Sequence, residues 1–387
     1  MKNSSQPGIW TISLAIFSML FGAGNIIYPI KCGVVTGNLN YIGIAGFILT
    51  GVFLPIIGLI AMVLFDGSYK QFFNRIGKTP GSLAILYCML IIGPLIAMPR
   101  CITVPFEMLT PFMPGVTLPL FSMIFGIITF LMTYKESKLL SLLGNIVSPL
   151  LLGSLAIIAG KGLWQGSHMV TETTPAMNVF VEQFVHGFQT LDLLGGLFFA
   201  YIVLRILKSN RDPQQIKTKD LALVALKSGL IAGFLLMLVY LAFSYLGAYY
   251  GHLVTLDMNG AEMFRIISIH ILNKHSIFII IMAVLMACLS TITALAAVFA
   301  EYMHYELCNK KLNYITCLSI TITITTIIAN FGLSNILYYS KPIVSIGYPI
   351  ITTITLCNIA YSLFGFKYIK FPVALVAIVS TSMTLYL

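Results

Sequence analysis

The stretch Phe21-Gly22-Ala23-Gly24-Asn25-Ile26-Ile27-Tyr28-Pro29 decides how this chain is read. It lies in the middle of the first long apolar run, about 9–31. About twenty apolar residues suffice for a helix to cross a bilayer. Yet the centre of this run holds two glycines and an asparagine, and a proline follows. Glycine costs roughly 1 kcal/mol against alanine inside a helix, and proline about 3; Pro29 also lacks an N–H. A helix broken at membrane depth exposes N–H and C=O groups where no water reaches them. Neighbouring protein or a bound solute must then satisfy them. Two readings stand side by side: a packing motif, because small residues let membrane helices approach closely, or a site built on a break.

Composition sets the class. Of 387 residues, 58% are hydrophobic and 9% charged, and the mean hydropathy is +0.96. A soluble chain carries roughly 25% charged residues, so this is a polytopic membrane protein whose first partner is the lipid bilayer. The net charge of +10 does not point to nucleic acid, because the basic residues fall mostly between apolar runs, where they set topology. The seven cysteines form no C-x-x-C pair and read as small buried hydrophobes. The first run is too long for a cleavable signal and lacks a small-residue cleavage site after it.

Eleven apolar runs follow one another: 9–31, 40–65, 82–105, 117–134, 139–160, 186–207, 221–248, 276–303, 313–332, 342–364 and 368–387. With the N-terminus in the cytoplasm, 16 of the 22 Lys and Arg fall on the cytoplasmic side, among them Lys2, Lys70, Lys135, Lys138, Arg205, Lys208, Arg211, Lys217, Lys219 and Lys310. The other side holds Lys31, Arg100, Lys161, Arg265, Lys274 and Lys341. That bias fixes the N-terminus inside, and an odd number of spans puts Leu387 outside.

The sixth run repeats the oddity of the first. Thr190-Leu191-Asp192-Leu193-Leu194-Gly195-Gly196 leads into Phe198, so a carboxylate and two glycines lie inside an apolar span. An ionisable residue there costs at least roughly 2.5 kcal/mol on insertion scales and marks a functional site by default. Asp192 also suits the N-cap of a half-helix, and the two roles overlap. Five spans separate the broken runs, so their N-termini start on opposite sides of the membrane. Paired interrupted helices in two inverted halves are the best pointer in sequence to a secondary transporter site. The halves are 9–160 and 186–364 within a single transmembrane domain, 1–387, with 368–387 as an additional helix. Half-helix N-termini, with free N–H groups and a positive dipole end, suit a substrate carboxylate.

The eighth run adds Ala287-Cys288-Leu289-Ser290-Thr291. Ala287, Ser290 and Thr291 share one helix face, and two hydroxyls with a carbonyl are hard donors suited to an alkali cation. The bland alternative is that both hydroxyls bond to carbonyls of their own helix.

Taken together, the Phe21–Pro29 stretch, Thr190-Leu191-Asp192 with Gly195, Ala287–Thr291 followed by Glu301-Tyr302, and Asn330-Phe331-Gly332-Leu333-Ser334 with Pro342 and Tyr348-Pro349 resemble the branched-chain amino acid:cation symporters. The match keeps its order from the first span to the tenth. The resemblance implies an all-α polytopic membrane protein with the five-plus-five inverted repeat of LeuT, broken in helices 1 and 6, with about eleven spans where family members typically have twelve. It implies a symporter that imports Leu, Ile or Val, with Met as a co-substrate, across the bacterial cytoplasmic (inner) membrane. The carboxylate would meet the break at Gly22, Ala23, Gly24 and Asn25, and the amino group and side chain would meet Thr190, Asp192 and Leu193, with Phe198 as lid or wall. The coupling cation, Na+, would take carbonyls of Ser18 and Phe21 together with Ala287, Ser290 and Thr291; no other cofactor is implied. Hydroxyls do not titrate near neutral pH, and no lysine lies between Leu139 and Ala159 to replace the ion, so sodium is favoured. Asp192 carries the alternative, H+. Lys341, just before Pro342, reads as a lysine reaching the interface or as a mobile charge near the outer gate.

A polytopic membrane enzyme is the competing class. The six histidines fall in loops or at span ends, and neither H-E-x-x-H nor G-x-S-x-G occurs, so the chain is expected not to be an enzyme.

Overall fold

The computed structural model describes residues 8–134, 139–209, 218–273 and 277–386; for 139–140, 205–209, 218–222 and 385–386 it describes the backbone alone. Every regular element among the described residues is helical. Of the residues that set the expected orientation, Lys2, Lys135, Lys138, Arg211, Lys217, Lys274 and Leu387 lie outside the described residues.

The first run is two helices, α1 (Ile9–Leu20) and α2 (Ala23–Thr36). They part at Gly22, whose φ of −118° and ψ of −154° are extended. Pro29 lies inside α2 without ending it. The next apolar stretch forms α3 (Asn40–Ile48) and α4 (Leu54–Leu64), joined by a widened turn at Leu49–Phe53 just before Pro55. A short helix, α5 (Tyr69–Asn74), then precedes α6 (Lys78–Leu90) and α7 (Ala97–Leu109). Between these two, Gly93 is non-helical and Pro94 follows. Next come α8 (Leu118–Thr133), α9 (Leu139–Leu142) and α10 (Ser148–Gln165).

The sixth run is also divided: α11 (Ala176–His186), a tight turn at Gly187–Thr190, Leu191 in left-handed backbone with φ 66°, and α12 (Asp192–Ser209). Then follow α13 (Thr218–Tyr250), α14 (Gly260–Leu272), α15 (Ile277–Tyr302), α16 (Tyr314–Ala329), α17 (Leu333–Phe364) and α18 (Lys370–Tyr386).

Three differences from the apolar runs have physical causes. The sixth helix starts at Ala176, well before 186, because Glu182 and Gln183 interrupt the apolar pattern without interrupting the helix. The tenth run's helix starts at Leu333, ahead of Lys341-Pro342. And α14 lies outside every run. Its first turn is closed by the Asn259 side chain, which accepts from the N–H groups of Ala261 and Glu262, a capping box readable in sequence. Among the described residues, seven continuous helical stretches are long and apolar enough to cross a membrane, with four shorter apolar helices beside them. Length alone therefore gives fewer spans than the eleven runs, because breaks and tight joins cut some runs and merge others.

The core is drawn together by close backbone crossings. A Cβ at Gly33 on α2 would meet the Ser244 carbonyl oxygen at 1.8 Å, and one at Gly247 on α13 would meet the Ile30 oxygen at 2.1 Å. These glycines are what let α2 and α13 touch, as small residues do in membranes. At one end of the bundle an aromatic cluster closes the interior: Phe73 stacks on Phe198 at 6.3 Å, and Tyr69 meets Phe198 at 5.8 Å and Tyr201 at 5.3 Å. Tyr201 donates to Glu301 at 2.8 Å, and Lys70 pairs with Glu306 at 2.6 Å. At the other end a vestibule of about 600 Å³ opens between α2, α11, α17 and the loop before α14.

Candidate substrate and cation site

The two breaks meet. A Cβ on Gly24 would stand 3.2 Å from the Thr190 Cα and 3.3 Å from its carbonyl oxygen. A Cβ on Gly22 would stand 2.7 Å from the Thr291 Oγ1. The packing reading of Gly22-Ala23-Gly24 holds: the glycines admit α12's lead-in and α15 to the break, and a cavity lies at that contact.

A buried hydrogen-bond cluster joins the halves. The Asn25 Nδ2 donates to the Asp192 carboxylate at 2.7 Å and also to the Tyr240 hydroxyl. Tyr240, on α13, in turn donates to the same carboxylate oxygen at 2.6 Å. The Asn25 Oδ1 accepts from the Gly22 N–H at 3.0 Å, so one side chain both closes the turn at the break and holds Asp192. Asp192 is buried, and all of these donors are neutral. On α12 the Leu193 N–H, free in a first helical turn, donates to the Tyr348 hydroxyl of α17 at 2.8 Å. This half-helix start is thus already served by protein.

Gly22, Ala23, Gly24, Asn25, Thr190, Asp192 and Thr291 line one narrow cavity of about 40 Å³. At roughly 10–15 Å³ per water centre, that holds about three waters, so a larger solute enters only as helices move apart. Leu193 and Phe198 do not line it. The Leu193 side chain reaches α4, where its Cδ1 stands 2.7 Å from the position of a Gly58 Cβ. Phe198 belongs to the aromatic cluster at the closed end. One helical step of 100° turns Phe199, not Phe198, towards the cavity.

The residues expected around a cation divide. The Thr291 hydroxyl donates to the carbonyls of Ser18 at 3.3 Å and Met19 at 2.9 Å, tying α15 to the end of α1. Ser290 instead donates to Met286 at 2.7 Å and Ala287 at 2.9 Å on its own helix. The Phe21 ring stacks on Phe17 at 5.5 Å, while its backbone stands at the break. Ser18, Ala287, Ser290 and Thr291 are all buried. Of the expected oxygens, the Thr291 hydroxyl and the Ser18 carbonyl meet at the α1–α15 crossing, joined there by the Met19 carbonyl.

Sequence reasoning missed three residues. Tyr240 and Tyr348 sit in apolar helices, where an aromatic residue is ordinary; only their buried hydroxyls betray them. Arg100, counted only as a basic residue on the outer side although it lies within the 82–105 run, is 2% exposed on α7 and lines the cavity. Lys341 is exposed and lines the vestibule. All seven cysteines are unpaired.

An all-helical membrane bundle whose two broken helices meet over a buried carboxylate has the architecture of the LeuT fold. Solved structures agree on the fold. MhsT in complex with L-phenylalanine superposes with a TM-score of 0.61 at 14% identity, covering 99% of this chain and 98% of that one. The nucleobase-cation-symport-1 family transporter Mhp1 gives 0.60 at 15%, covering 92% and 78%.

Among curated proteins, the branched-chain amino acid permease BraB of Bacillus subtilis (strain 168) is 31% identical over 361 residues, 91% of this chain and 80% of its own. The permease BrnQ of Escherichia coli (strain K12) is 30% identical over 346 residues, 88% and 77%. The family described as branched-chain amino acid transport protein matches residues 5–386, and this chain belongs to it. It is a multi-pass membrane protein of amino acid transport, not an enzyme.

Proposed function

We propose that this protein imports leucine, isoleucine and valine, with methionine as a co-substrate, in symport with Na+ by alternating access across the bacterial cytoplasmic membrane, its N-terminus inside. The observation that carries this reading is the meeting of Gly24 and Thr190 beside Asp192, inside one cavity. The start of α2 presents the N–H groups of Ala23, Gly24 and Asn25 to that cavity, a ready seat for a carboxylate. Asp192 supplies the opposite charge for an ammonium. Burying a leucine-sized side chain is worth about 1.5–3 kcal/mol, enough to prefer it over alanine. The names of BraB and BrnQ support the same substrate class.

The cation reading rests on Thr291. Na+ at the α1–α15 crossing would take the carbonyls of Ser18 and Phe21 and the oxygens of Ala287, Ser290 and Thr291. Ser290 would turn from its own helix to do so. Residues 9–160 and 186–364 act in this account as two repeats that rock about the breaks. A second reading, H+ coupling, is favoured by one observation: Asp192 is buried against neutral donors alone, so it is the group a proton would occupy.

Counterflow tests the carrier reading. Vesicles preloaded with unlabelled leucine should transiently accumulate labelled leucine above the external level. Simple equilibration with no overshoot would indicate a channel and overturn it.

A further inference from the structure

We propose that Arg100 binds the carboxylate of the transported amino acid, making the site a pair of opposite fixed charges, Arg100 and Asp192, matched to a zwitterion. This deepens the amino acid reading above and rests on it.

Arg100 is 2% exposed. Its Nη1 donates to the Gln189 carbonyl at 2.9 Å, and its Nη2 to the Ser340 hydroxyl of α17. Its Nε is buried with no partner. Among the described residues the one ion pair within 4 Å is Lys70–Glu306, so the guanidinium is held by neutral acceptors only. A buried charge of this kind is costly unless an opposite charge meets it, and a guanidinium presents a planar fork matched to a carboxylate.

The cavity supplies the place. Arg100 lines it together with the start of α2 and Asp192. An anion there would meet the guanidinium and the N–H groups of Ala23 and Gly24 at once. The other half-helix start does not compete, because its Leu193 N–H is already bonded to Tyr348. Arg100 also stands at the boundary with the vestibule. Gln189, whose carbonyl it holds, and Tyr28, whose ring centroid is 5.9 Å away, both line the vestibule. A carboxylate arriving from the vestibule therefore reaches Arg100 on its way in, and pairing with it draws the fork away from Gln189 and Ser340.

The test measures binding without transport, by thermal stabilisation of purified protein in detergent. Ligand stabilisation gives Kd directly, since it grows as RT ln(1 + [L]/Kd). The probes are leucine, leucinamide, which keeps the ammonium and lacks the carboxylate, and 4-methylpentanoate, which keeps the carboxylate and lacks the ammonium. The wild type should bind leucine far better than either. In Arg100→Gln, leucine should weaken about a hundredfold or more while leucinamide stays within threefold or improves, so discrimination between them collapses. Asp192→Asn should do the converse for 4-methylpentanoate. If Arg100→Gln does not insert, Arg100→Lys, which keeps the charge and loses the fork, should show the same collapse in part. Ser340→Ala, which removes a bond the fork must give up to a carboxylate, should keep or raise the preference for leucine over leucinamide.

Parallel loss of leucine and leucinamide in the Arg100 variants would mean the residue only braces helices, and would overturn the proposal while leaving the amino acid reading intact. No stabilisation of the wild type by leucine, isoleucine or valine would overturn that reading and the proposal with it.

Discussion

The side-chain amide of Asn25 donates to the carboxylate of Asp192 at 2.7 Å, across 167 positions of sequence. This one bond joins the start of α2 to the start of α12, the two half-helices that follow the breaks. The pair is buried, and a hydrogen bond to a charged group contributes about 1.5–3 kcal/mol. The two breaks are therefore bonded directly to each other and are expected to be coupled.

Tyr240→Phe tests that coupling with little change of shape. The ring keeps its edge-on contact with Phe47 at 5.4 Å, and only the hydroxyl that bridges Asn25 and Asp192 is lost. Leucine affinity should fall by about tenfold to a hundredfold, the equivalent of about 1.4–3 kcal/mol, with normal protein levels in the membrane. An unchanged Kd would mean that Tyr240 is a packing residue whose hydroxyl is incidental.

Gly24→Val should abolish uptake while leaving membrane insertion intact. The first added carbon meets the Thr190 backbone at 3.2–3.3 Å, tighter than ordinary contact, and the branches of valine add to it. Gly24→Ala should retain partial uptake. Labelled leucine uptake, normalised to protein in the membrane, reads both; near-normal uptake by the valine variant would contradict the close approach of the two breaks.

Leu191→Ile should lower uptake more than Leu191→Met. Leu191 holds φ at 66°, which costs roughly 1–2 kcal/mol for a side chain with a Cβ and is a true outlier for a β-branched one. Isoleucine conserves volume but adds that strain where the chain leads into Asp192. Equal activity of the two variants would show that this turn is not a fixed part of the site.

How much of this was legible beforehand depends on what each residue breaks. Gly22 and Asp192 violate the pattern of an apolar span, and both lie where the helices part. Thr291 was legible through its spacing with Ala287, although spacing could not show that Ser290 turns to its own helix while Thr291 reaches Met19. Arg100 was misplaced because a basic residue near the end of an apolar run ordinarily marks the interface. Only the tertiary fold, which brings Gln189 and Ser340 to its fork, shows it inside. Phe198 and Phe199 are both apolar and adjacent, so which of them faces the cavity is a matter of helical phase that pattern alone does not fix.

Thr291→Val should raise the sodium concentration for half-maximal uptake by about tenfold. Valine keeps the shape and removes the hydroxyl that links α15 to Ser18 and Met19, a candidate ligand for the ion. A sodium dependence identical to the wild type would remove Thr291 from the cation site.

The most direct test is uptake of labelled leucine, isoleucine, valine and methionine into proteoliposomes under separate inward sodium and proton gradients, in wild type and in Asp192→Asn. The account predicts that a sodium gradient alone drives accumulation, that leucine outcompetes lysine and glutamate, and that Asp192→Asn weakens substrate affinity while keeping sodium dependence. Uptake indifferent to sodium, driven by an inward proton gradient and losing that drive in Asp192→Asn, would contradict it.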